Sequence, residues 1–260
     1  MPWFLKVSEK MKLLIIIPAY NEAESLRGVI ERLRSTCPQY DYIIVNDGSS
    51  DGTQELCEKN HYNFMSHPVN QGLAQTVRTG MKYALENGYD AALQFDADGQ
   101  HLPEYIDGMV NVMEETDCDI VIASRFFKEK MPLRMRTVGG KMISAAIRKT
   151  TDKNLTDPTS GMRLFKRNIL RAFTENNFLT PEPDTIAYLI RMGADVHEVQ
   201  VRMEERKYGQ SYLSPINATK YMIRILLSIL LFQRKWEEID IHKEAKKIKV
   251  PEETREGVSV

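Results

Sequence analysis

Residues 91–103 read AALQFDADGQHLP, a short apolar run that ends abruptly in two carboxylates, a glycine, a glutamine and a histidine. The proline that follows suits the first turn of a helix, so the stretch predicts a strand, an acidic turn and a helix. Once the chain turns after Phe95, the alternation of the strand ends, and the side chains of Asp96 and Asp98 can converge in front of the sheet edge. The rest of the chain is best understood from this turn.

Two ionised carboxylates held this close repel each other unless a cation lies between them. The oxygens of Asp96 and Asp98, with an amide oxygen from Gln100, are ligands that suit Mg²⁺ or Mn²⁺, and such an ion completes its coordination with water and substrate phosphates. The alternative is an acidic surface turn that caps the helix beginning at Pro103. Asp-x-Asp is a common and weak motif, so the pair alone leaves both interpretations open.

Length and composition limit the class of protein. The chain has 260 residues, 42% of them hydrophobic, which is enough for one large domain or one domain with an appendage. A net charge of −1 gives no basic surface of the kind that binds nucleic acid. The cysteines Cys37, Cys57 and Cys118 form no Cys-x-x-Cys pair, so they indicate neither a disulfide framework nor a zinc site and fit a reducing, cytosolic setting.

No stretch reaches the about 18 uninterrupted apolar residues of a membrane-spanning helix. The first residues also lack the apolar run and small-residue cleavage site of a signal peptide. We therefore expect neither secretion by that route nor a spanning segment.

The same order of strand, polar turn and helix recurs along the first half of the chain. Residues 13–17 and 42–45 are apolar runs without alternation, which is typical of strands buried on both faces. They end in the polar turns PAYNE at 18–22 and NDGSSDGT at 46–53, and a helical pattern follows each turn. Further strands are predicted at 63–66 and 119–123, and further helices at 74–85, closed by Gly88, and at 103–115.

Strands that alternate with helices predict an α/β fold with a largely parallel sheet. In such sheets ligands bind beyond the carboxyl ends of the strands. The polar turns after Ile17, Val45 and Phe95 all lie at those ends. We therefore expect them to meet at one edge of the sheet.

Four motifs in this order resemble family 2 glycosyltransferases, which are inverting enzymes with the GT-A nucleotide-sugar-binding fold: PAYNE at 18–22, NDGSSDGT at 46–53, NQG at 70–72 and DADGQH at 96–101. Three more resemble the branch that contains dolichol-phosphate mannose synthase and bacterial polyprenyl-phosphate sugar transferases: ASRF at 123–126, DPTSGMR at 157–163 and EVQVRMEERKYGQS at 198–211. The resemblance implies a Rossmann-like GT-A domain over residues 12–212, after an N-terminal extension at 1–11.

The resemblance implies a donor site for a nucleotide-diphosphate sugar. The predicted nucleotide-sugar-binding residues are Pro18, Tyr20, Glu22, Asp47, Asp96 and Asp98, and the predicted ligands of Mg²⁺ or Mn²⁺ are Asp96, Asp98 and Gln100. Asp47 matches the family carboxylate that accepts a hydrogen bond from the base. Glu22 could instead be a charge favoured by the dipole of the next helix, and residues 49–53 could be only a turn with a helix N-cap.

The predicted catalytic residues are Asp98, Asp184 and Arg206. Charge develops on the β-phosphate of the leaving nucleotide, and a divalent ion with Arg206 could stabilise it; a solvated surface arginine is the alternative. Asp184 lies on a predicted helix at 183–192, where relatives carry an acidic residue near the acceptor. It could be a general base, or only a helix N-terminal charge after Pro183.

The predicted acceptor-binding residues are Arg125, Arg163 and Ser211. A phosphate acceptor is already mostly ionised at neutral pH and needs cations to hold it, whereas a hydroxyl acceptor needs a base. Arginines outnumber candidate bases at the family-matched positions, which favours a polyprenyl phosphate. Tyr212 departs from this branch, whose members usually carry Lys after the serine, and weakens the assignment of the acceptor.

Residues 213–235 predict an amphipathic helix whose narrow polar stripe is formed by Lys220, Arg224 and Ser228. The helix is too short to span a bilayer and too apolar to face water, so it lies in a membrane interface, on a partner or in the core. The basic residues that flank it favour the interface. Residues 131–149 could add a second amphipathic helix, and 236–260 predict a charged tail.

We therefore expect a metal-dependent hexosyltransferase of the cell envelope, attached peripherally to the cytoplasmic face of the cell membrane, which moves one sugar to a polyprenyl phosphate. One alternative is an enzyme that extends a cell-surface glycan through a sugar hydroxyl. Another is a non-catalytic nucleotide-sugar-binding partner. A nucleotidyltransferase is disfavoured because no glycine-rich, basic phosphate loop follows the first strand. A small membrane partner or a homo-oligomer also fits the C-terminal helix.

Overall fold

The computed structural model describes residues 10–128, 135–205, 215–233, 236 and 238–242, with residues 135–137, 215–217 and 232 described by their backbone alone. Arg206, Ser211 and Tyr212, most of the predicted N-terminal extension and the tail beyond residue 242 lie outside the described residues.

Strands and helices alternate through the described chain. The strands β1 to β7 are Leu13–Ala19, Asp41–Asn46, Phe64–Ser66, Ala91–Gln94, Ile120–Ser124, Arg163–Lys166 and Val196–Gln200. The helices α1 to α8 are Ala23–Thr36, Thr53–Lys59, Leu73–Glu86, Ile106–Thr116, Met135–Thr151, Arg167–Glu175, Pro183–Arg191 and Pro215–Leu227. A 3-10 turn, Pro103–Tyr105, leads into α4, and a π-helical segment, Ser228–Phe232, continues α8.

The seven described strands form one sheet in the order β3-β2-β1-β4-β6-β5-β7. Six of them run in one direction, and β6 runs antiparallel to both of its neighbours, β4 and β5. The predicted α/β fold with a mostly parallel sheet is confirmed. The sequence analysis predicted neither the antiparallel strand β6 nor the helix α6 after it.

Helices cover both faces of the sheet, which explains the apolar runs without alternation. All seven residues of β1 are buried. Leu14 and Ile16 pack into the core on one face, and Leu13, Ile15 and Ile17 pack into the core on the other. Each such side chain contributes about 1.5–3 kcal/mol when it is removed from water, so β1 anchors two cores at once.

The C-terminal helix α8 is packed on one side and exposed on the other. Ile225 and Ile229 are 1% exposed, whereas Ile223 and Leu231 are 52% and 57% exposed. One face of this helix therefore packs into the core. Binding of the other face to a membrane or to a partner stays a prediction. No described helix is both long enough and apolar enough to cross a bilayer.

Trp236 joins the body of the protein, although the sequence analysis assigned it to the charged tail. The centroid of its ring lies 5.1 Å from the ring centroid of Tyr188 on α7 and 5.2 Å from that of Phe178. The aromatic cluster holds the end of the α8 segment against α7, so ordered packing continues past residue 235.

Candidate active site

One cleft of about 400 Å³ gathers the polar turns that follow β1, β2 and β4. It is lined by Pro18, Ala19, Tyr20, Glu22, Asp47, Asn70, Gly72, Leu73, Thr76, Asp96, Ala97 and Asp98. The expected meeting of these turns at one edge of the sheet is confirmed. All the predicted nucleotide-sugar-binding residues lie in the wall of this cleft, and their contacts with a nucleotide stay a prediction.

The carboxylate of Asp47 organises the loop that leads into α3. It accepts hydrogen bonds from the backbone N–H groups of Gln71 and Gly72 over 2.9 and 2.8 Å, and Nδ1 of His67 lies 2.8 Å from Oδ1. Burial alone would raise the pKa of Asp47, but the hydrogen bonds from His67 and the two N–H groups outweigh it and hold the pKa below its ordinary value. The sequence analysis did not identify His67.

The turn before α2 also caps α1. The backbone N–H of Asn21 donates to Oγ of Ser49 over 2.9 Å, and that of Ala23 donates to the Asp51 carboxylate over 3.0 Å. Asp51 further accepts the N–H of Thr53 at the start of α2. Burial alone would raise the pKa of Asp51, but these hydrogen bonds lower it. Residues 49–53 therefore form a turn that ties the first two polar turns together, while the N-cap residue of α2 itself is Gly52, which makes no side-chain cap.

Glu22 lies both in the cleft wall and beside α1. Its carboxylate accepts a hydrogen bond from Oγ of Ser25 over 2.6 Å, one turn into the helix. This contact fits the helix-terminus interpretation, and the position in the cleft fits contact with a nucleotide, so both stay open.

The acidic turn after β4 is closed by its own hydrogen bonds. The N–H of Asp96 donates to Nδ1 of His101 over 3.0 Å, and the N–H of Gln100 donates to Oδ1 of Asp98 over 3.0 Å. The side chain of Asp96 is 33% exposed, and Asp98 is buried. Both carboxylates face the cleft from one rigid turn.

The donor atoms at this turn fit a divalent cation. Asp96 and Asp98 supply the hard oxygens that Mg²⁺ and Mn²⁺ prefer. Within the described ranges, no three His, Cys, Asp or Glu side chains are arranged as a metal site. The amide nitrogen of Gln100 donates to the carbonyl oxygen of Glu204 over 3.4 Å, and its role as a metal ligand stays a prediction.

Gly161 brings the loop before β6 against the acidic turn. A Cβ atom at this position would lie 2.6 Å from Oδ2 of Asp96 and 3.4 Å from Cε1 of His101. Because β6 is antiparallel, the loop before it lies at the same sheet edge as the turn after β4. Residues 157–161 therefore complete the surroundings of Asp96.

Arg125 is bound to a buried carboxylate. Its Nε and Nη2 donate to Asp157 over 2.7 and 2.9 Å, and this hydrogen-bonded pairing raises the pKa of Arg125. Glu198 on β7 in turn accepts the N–H groups of Thr156 and Asp157, although burial still raises the pKa of Glu198. The Arg125 side chain keeps 38% of its surface exposed, and its contact with an acceptor stays a prediction.

Arg163 lies inside the protein rather than on the cleft surface where an acceptor arginine was expected. It is 2% exposed, and its guanidinium donates to the carbonyl oxygens of Pro181 and Pro158 over 2.9 and 2.8 Å. Burial lowers the pKa of Arg163. It faces inward because β6 occupies the interior of the sheet, between β4 and β5. Here it links two loops, and its role in binding the acceptor stays a prediction.

Asp184 lies away from the donor cleft, in a groove of about 620 Å³ between α7 and α8. Its carboxylate accepts a hydrogen bond from Oγ of Ser228 over 2.7 Å, and its carbonyl oxygen accepts one from the side chain of Gln233. The hydroxyl of Tyr221 donates to the neighbouring Glu182. The C-terminal segment thus holds the start of α7, and a role of Asp184 as a general base stays a prediction.

Comparisons with known proteins agree with this architecture. Residues 14–174 match the family model described as "Glycosyl transferase family 2". Undecaprenyl-phosphate mannosyltransferase of Micrococcus luteus is 31% identical over 226 residues, which cover 78% of this chain and 88% of that protein. Polyprenol monophosphomannose synthase of Mycolicibacterium smegmatis is 28% identical over 233 residues, which cover 84% and 87%.

Solved structures share the fold. Glucosyl-3-phosphoglycerate synthase from Mycobacterium tuberculosis, in complex with Mn²⁺, uridine diphosphate and phosphoglyceric acid, has a TM-score of 0.63 at 17% identity, with 86% of this chain and 78% of that chain covered. A mannosyltransferase from Pyrobaculum calidifontis, in complex with GDP-Man and Mn²⁺, has a TM-score of 0.57 at 16% identity, with 87% and 70% covered.

Proposed function

The chain belongs to glycosyl transferase family 2, and we propose that it transfers one sugar, with inversion, from a nucleotide-diphosphate sugar to a polyprenyl phosphate. One observation supports the donor half of this proposal. All six predicted nucleotide-sugar-binding residues line the same cleft. The acceptor half is supported by two relatives that are named for undecaprenyl phosphate and polyprenol and match this chain over more than four-fifths of their length.

Asp96 and Asp98 would hold the divalent ion, Mg²⁺ or Mn²⁺, and oxygens of the diphosphate would join them. Such an ion, when bound, supplies electrostatic stabilisation of the charge that develops on the leaving diphosphate. The structural neighbours that contain Mn²⁺ together with a nucleotide support this assignment. Asp47 fixes the loop that closes the base side of the cleft.

Arg206 would add a second positive charge to the same site. The N–H of Glu204 donates to the carbonyl oxygen of Gln100 over 3.0 Å, so the segment after β7 is fastened to the acidic turn. Arg206 follows two residues later, a reach of about 7 Å along an extended chain. This supports Arg206 as a cation for the diphosphate or the acceptor phosphate, with Ser211 further along the same segment.

The outer face of α8 would rest on the cytoplasmic face of the membrane. Ile223, Leu227 and Leu231 are 41–57% exposed, and Lys220 and Arg224 on the same helix supply the charge that anionic lipid attracts. Three free, buried cysteines among the described residues support a reducing compartment. The limits 12–212 for the GT-A domain and 213–235 for the helix belong to this proposal.

The test of the reaction is a transfer assay with the purified full chain, Mg²⁺ or Mn²⁺, undecaprenyl or dolichyl phosphate in detergent, and UDP- or GDP-linked sugars offered one at a time. We expect a lipid-linked monosaccharide with one donor and its loss in Asp98→Asn. Transfer to an oligosaccharide hydroxyl, with both lipid phosphates untouched, would overturn the proposal in favour of glycan extension.

Flotation with anionic vesicles tests whether the exposed face of the C-terminal helix binds a membrane. We expect Ile223→Asp and Leu231→Asp to abolish binding, and Val69→Asp, at an equally exposed apolar position away from α8, to leave it unchanged. An aspartate at the buried Ile225 would instead disrupt the core. If Ile223→Asp and Leu231→Asp both float as well as the wild type, membrane binding through this face of the helix is excluded.

A further inference from the structure

Two histidines lie beside the carboxylates of the donor cleft, the buried His101 beside Asp96 and the half-buried His67 beside Asp47. His101 is 5% exposed, and its ring meets that of Phe95 edge-on at 5.5 Å between centroids. The ring therefore has a fixed orientation, and the roles of its two nitrogens can be deduced from their partners.

The proton of His101 lies on Nε2. The backbone N–H of Asp96 donates to Nδ1 over 3.0 Å. Because an amide N–H can only donate, Nδ1 must present its lone pair, and a neutral imidazole then carries its proton on Nε2. Nε2 lies 3.7 Å from Oδ2 of Asp96. One nitrogen thus holds the backbone of Asp96, and the other turns an N–H toward its carboxylate.

The carboxylate of Asp96 is enclosed on its other sides as well. The amide nitrogen of Gln94 lies 3.4 Å from Oδ1. The absence of a side chain at Gly161 is what makes room for Oδ2. Donor groups of Gln94 and His101 therefore lie 3.4 and 3.7 Å from the two carboxylate oxygens of Asp96, while a third of its side chain remains exposed.

We propose that His101, in its Nε2–H form, is a positioning residue of the metal site and not a metal ligand. A ring nitrogen that carries a proton has no lone pair for a metal, so the ligands that this turn offers are oxygens. Carboxylate oxygens without imidazole suit Mg²⁺ and Mn²⁺ better than Zn²⁺. The presence of a metal at this turn rests on the proposed function. The tautomer of His101 does not, because it follows from the hydrogen bond to Nδ1.

His67 has the opposite tautomer and provides an internal reference. Its Nδ1 lies 2.8 Å from Oδ1 of Asp47, and an ionised carboxylate only accepts, so Nδ1 carries the proton. Its Nε2 lies 3.0 Å from Oγ1 of Thr79 and, in the neutral ring, accepts a hydrogen bond from that hydroxyl. At a pH where both rings are neutral, the two histidines therefore carry their protons on opposite nitrogens.

The first experiment is long-range ¹H–¹⁵N NMR of protein labelled in its histidines, at about pH 8, where an ordinary histidine with a pKa of about 6.5 is neutral. Spectra are recorded for the free protein and with Mg²⁺ plus UDP or GDP, and His101→Asn and His67→Asn assign the signals. We expect the Nε2–H pattern for His101 in every state and the Nδ1–H pattern for His67. Loss of the Nε2 proton of His101 in the Mg²⁺ complex would show direct ligation and overturn the proposal.

The second experiment measures Mn²⁺ affinity by electron paramagnetic resonance with saturating nucleotide. His101→Asn can keep an acceptor near the position of Nδ1 but cannot direct an N–H to the Asp96 carboxylate, so we expect Mn²⁺ affinity to fall about tenfold, as for outer-shell partners of metal ligands. The control is His61→Asn, at an exposed site with φ of 50°, a conformation that asparagine tolerates.

Unchanged Mn²⁺ affinity in folded His101→Asn would overturn the positioning role. None of these measurements involves the acceptor. An enzyme that failed to glycosylate polyprenyl phosphate would therefore still give a clear answer about His101.

Discussion

Replacing Gly161 with alanine tests how closely the loop before β6 confines the acidic turn. The backbone of Gly161 lies outside the positive-φ region, so alanine is not strained by its own conformation. The added methyl would lie 2.6 Å from Oδ2 of Asp96. Ordinary van der Waals contacts of a Cβ atom begin at 3.4 Å, so the carboxylate must retreat by about 0.8 Å.

The size of the effect follows from how Asp96 is held. The methyl presses on Oδ2, the oxygen that also lies 3.7 Å from Nε2 of His101, so the carboxylate of Asp96 must move relative to its neighbour Asp98. A misplacement approaching 1 Å can cost about 100-fold in rate, which corresponds to about 2.7 kcal/mol of transition-state stabilisation. We expect kcat/KM to fall about 100-fold and Mn²⁺ affinity about tenfold, while the free energy of unfolding changes by less than about 2 kcal/mol.

Steady-state kinetics and Mn²⁺ titration of Gly161→Ala check these values, with urea unfolding to show that the variant is folded. The matched control is Gly108→Ala on α4, where an added methyl meets no atom within 4 Å. That substitution should leave the kinetics unchanged and stabilise the helix by up to about 1 kcal/mol. A folded Gly161→Ala enzyme with wild-type metal affinity and kcat/KM would refute the reasoning.

Three further substitutions have defined outcomes. Because the folded pKa of Asp47 is lowered, its stabilisation is present above its ordinary pKa of about 3.9 and is lost as pH falls through the lower folded value. Urea unfolding should show Asp47→Asn less stable than wild type by about 1–3 kcal/mol at pH 7, with a difference that shrinks as pH falls below about 3.9. Arg163→Met leaves two buried carbonyl oxygens without donors, so its unfolding free energy should fall by at least about 2 kcal/mol, and stability equal to wild type would contradict the link between the two loops. Asp184→Asn keeps a side-chain oxygen for Ser228 and should retain most transfer to polyprenyl phosphate; a loss of kcat beyond about 100-fold would identify Asp184 as a base and favour a hydroxyl acceptor.

The donor cleft could be predicted because its parts are local. Each turn follows an apolar strand and precedes a helix, and parallel topology alone places such turns at one edge. Asp47 and Asp96 were therefore assigned to one site without knowledge of any distance. Glycine and aspartate also marked the turns themselves, since few other residues suit those conformations.

The missed features depend on contacts that no local pattern encodes. His67 reaches Asp47 and Gly161 reaches Asp96 only after the sheet has formed. Arg163 was expected near the acceptor because the segment at 157–163 resembles one that relatives use there. It is buried because β6 inserts between two strands, and a strand order that departs from the chain order cannot be read from periodicity.

Asp184, in the groove between α7 and α8, shows the same limit. Its position at the start of α7 could be predicted from Pro183, but its hydrogen bond to Ser228 joins residues 44 positions apart. The helix that carries the polar stripe was expected in a membrane interface, on a partner or in the core, and Ser228 of that stripe is 8% exposed and bonded to α7. These alternatives use the same sequence, and only the packing separates them.

The strand β6 lies between β4 and β5 in the sheet but follows both in the chain. Its synthesis therefore determines when the sheet can be completed. The ribosome completes β4 at residue 94 and β5 at residue 124, yet both pair with β6, which ends at residue 166. Until β6 has been synthesised, one edge of β4 is unpaired. The strand β5 likewise lacks a partner on the side that β6 later occupies. Open strand edges can pair with other chains, so we expect products truncated before β6 to aggregate more readily than the full chain. The sheet becomes continuous from β3 to β5 only after β6 has left the exit tunnel.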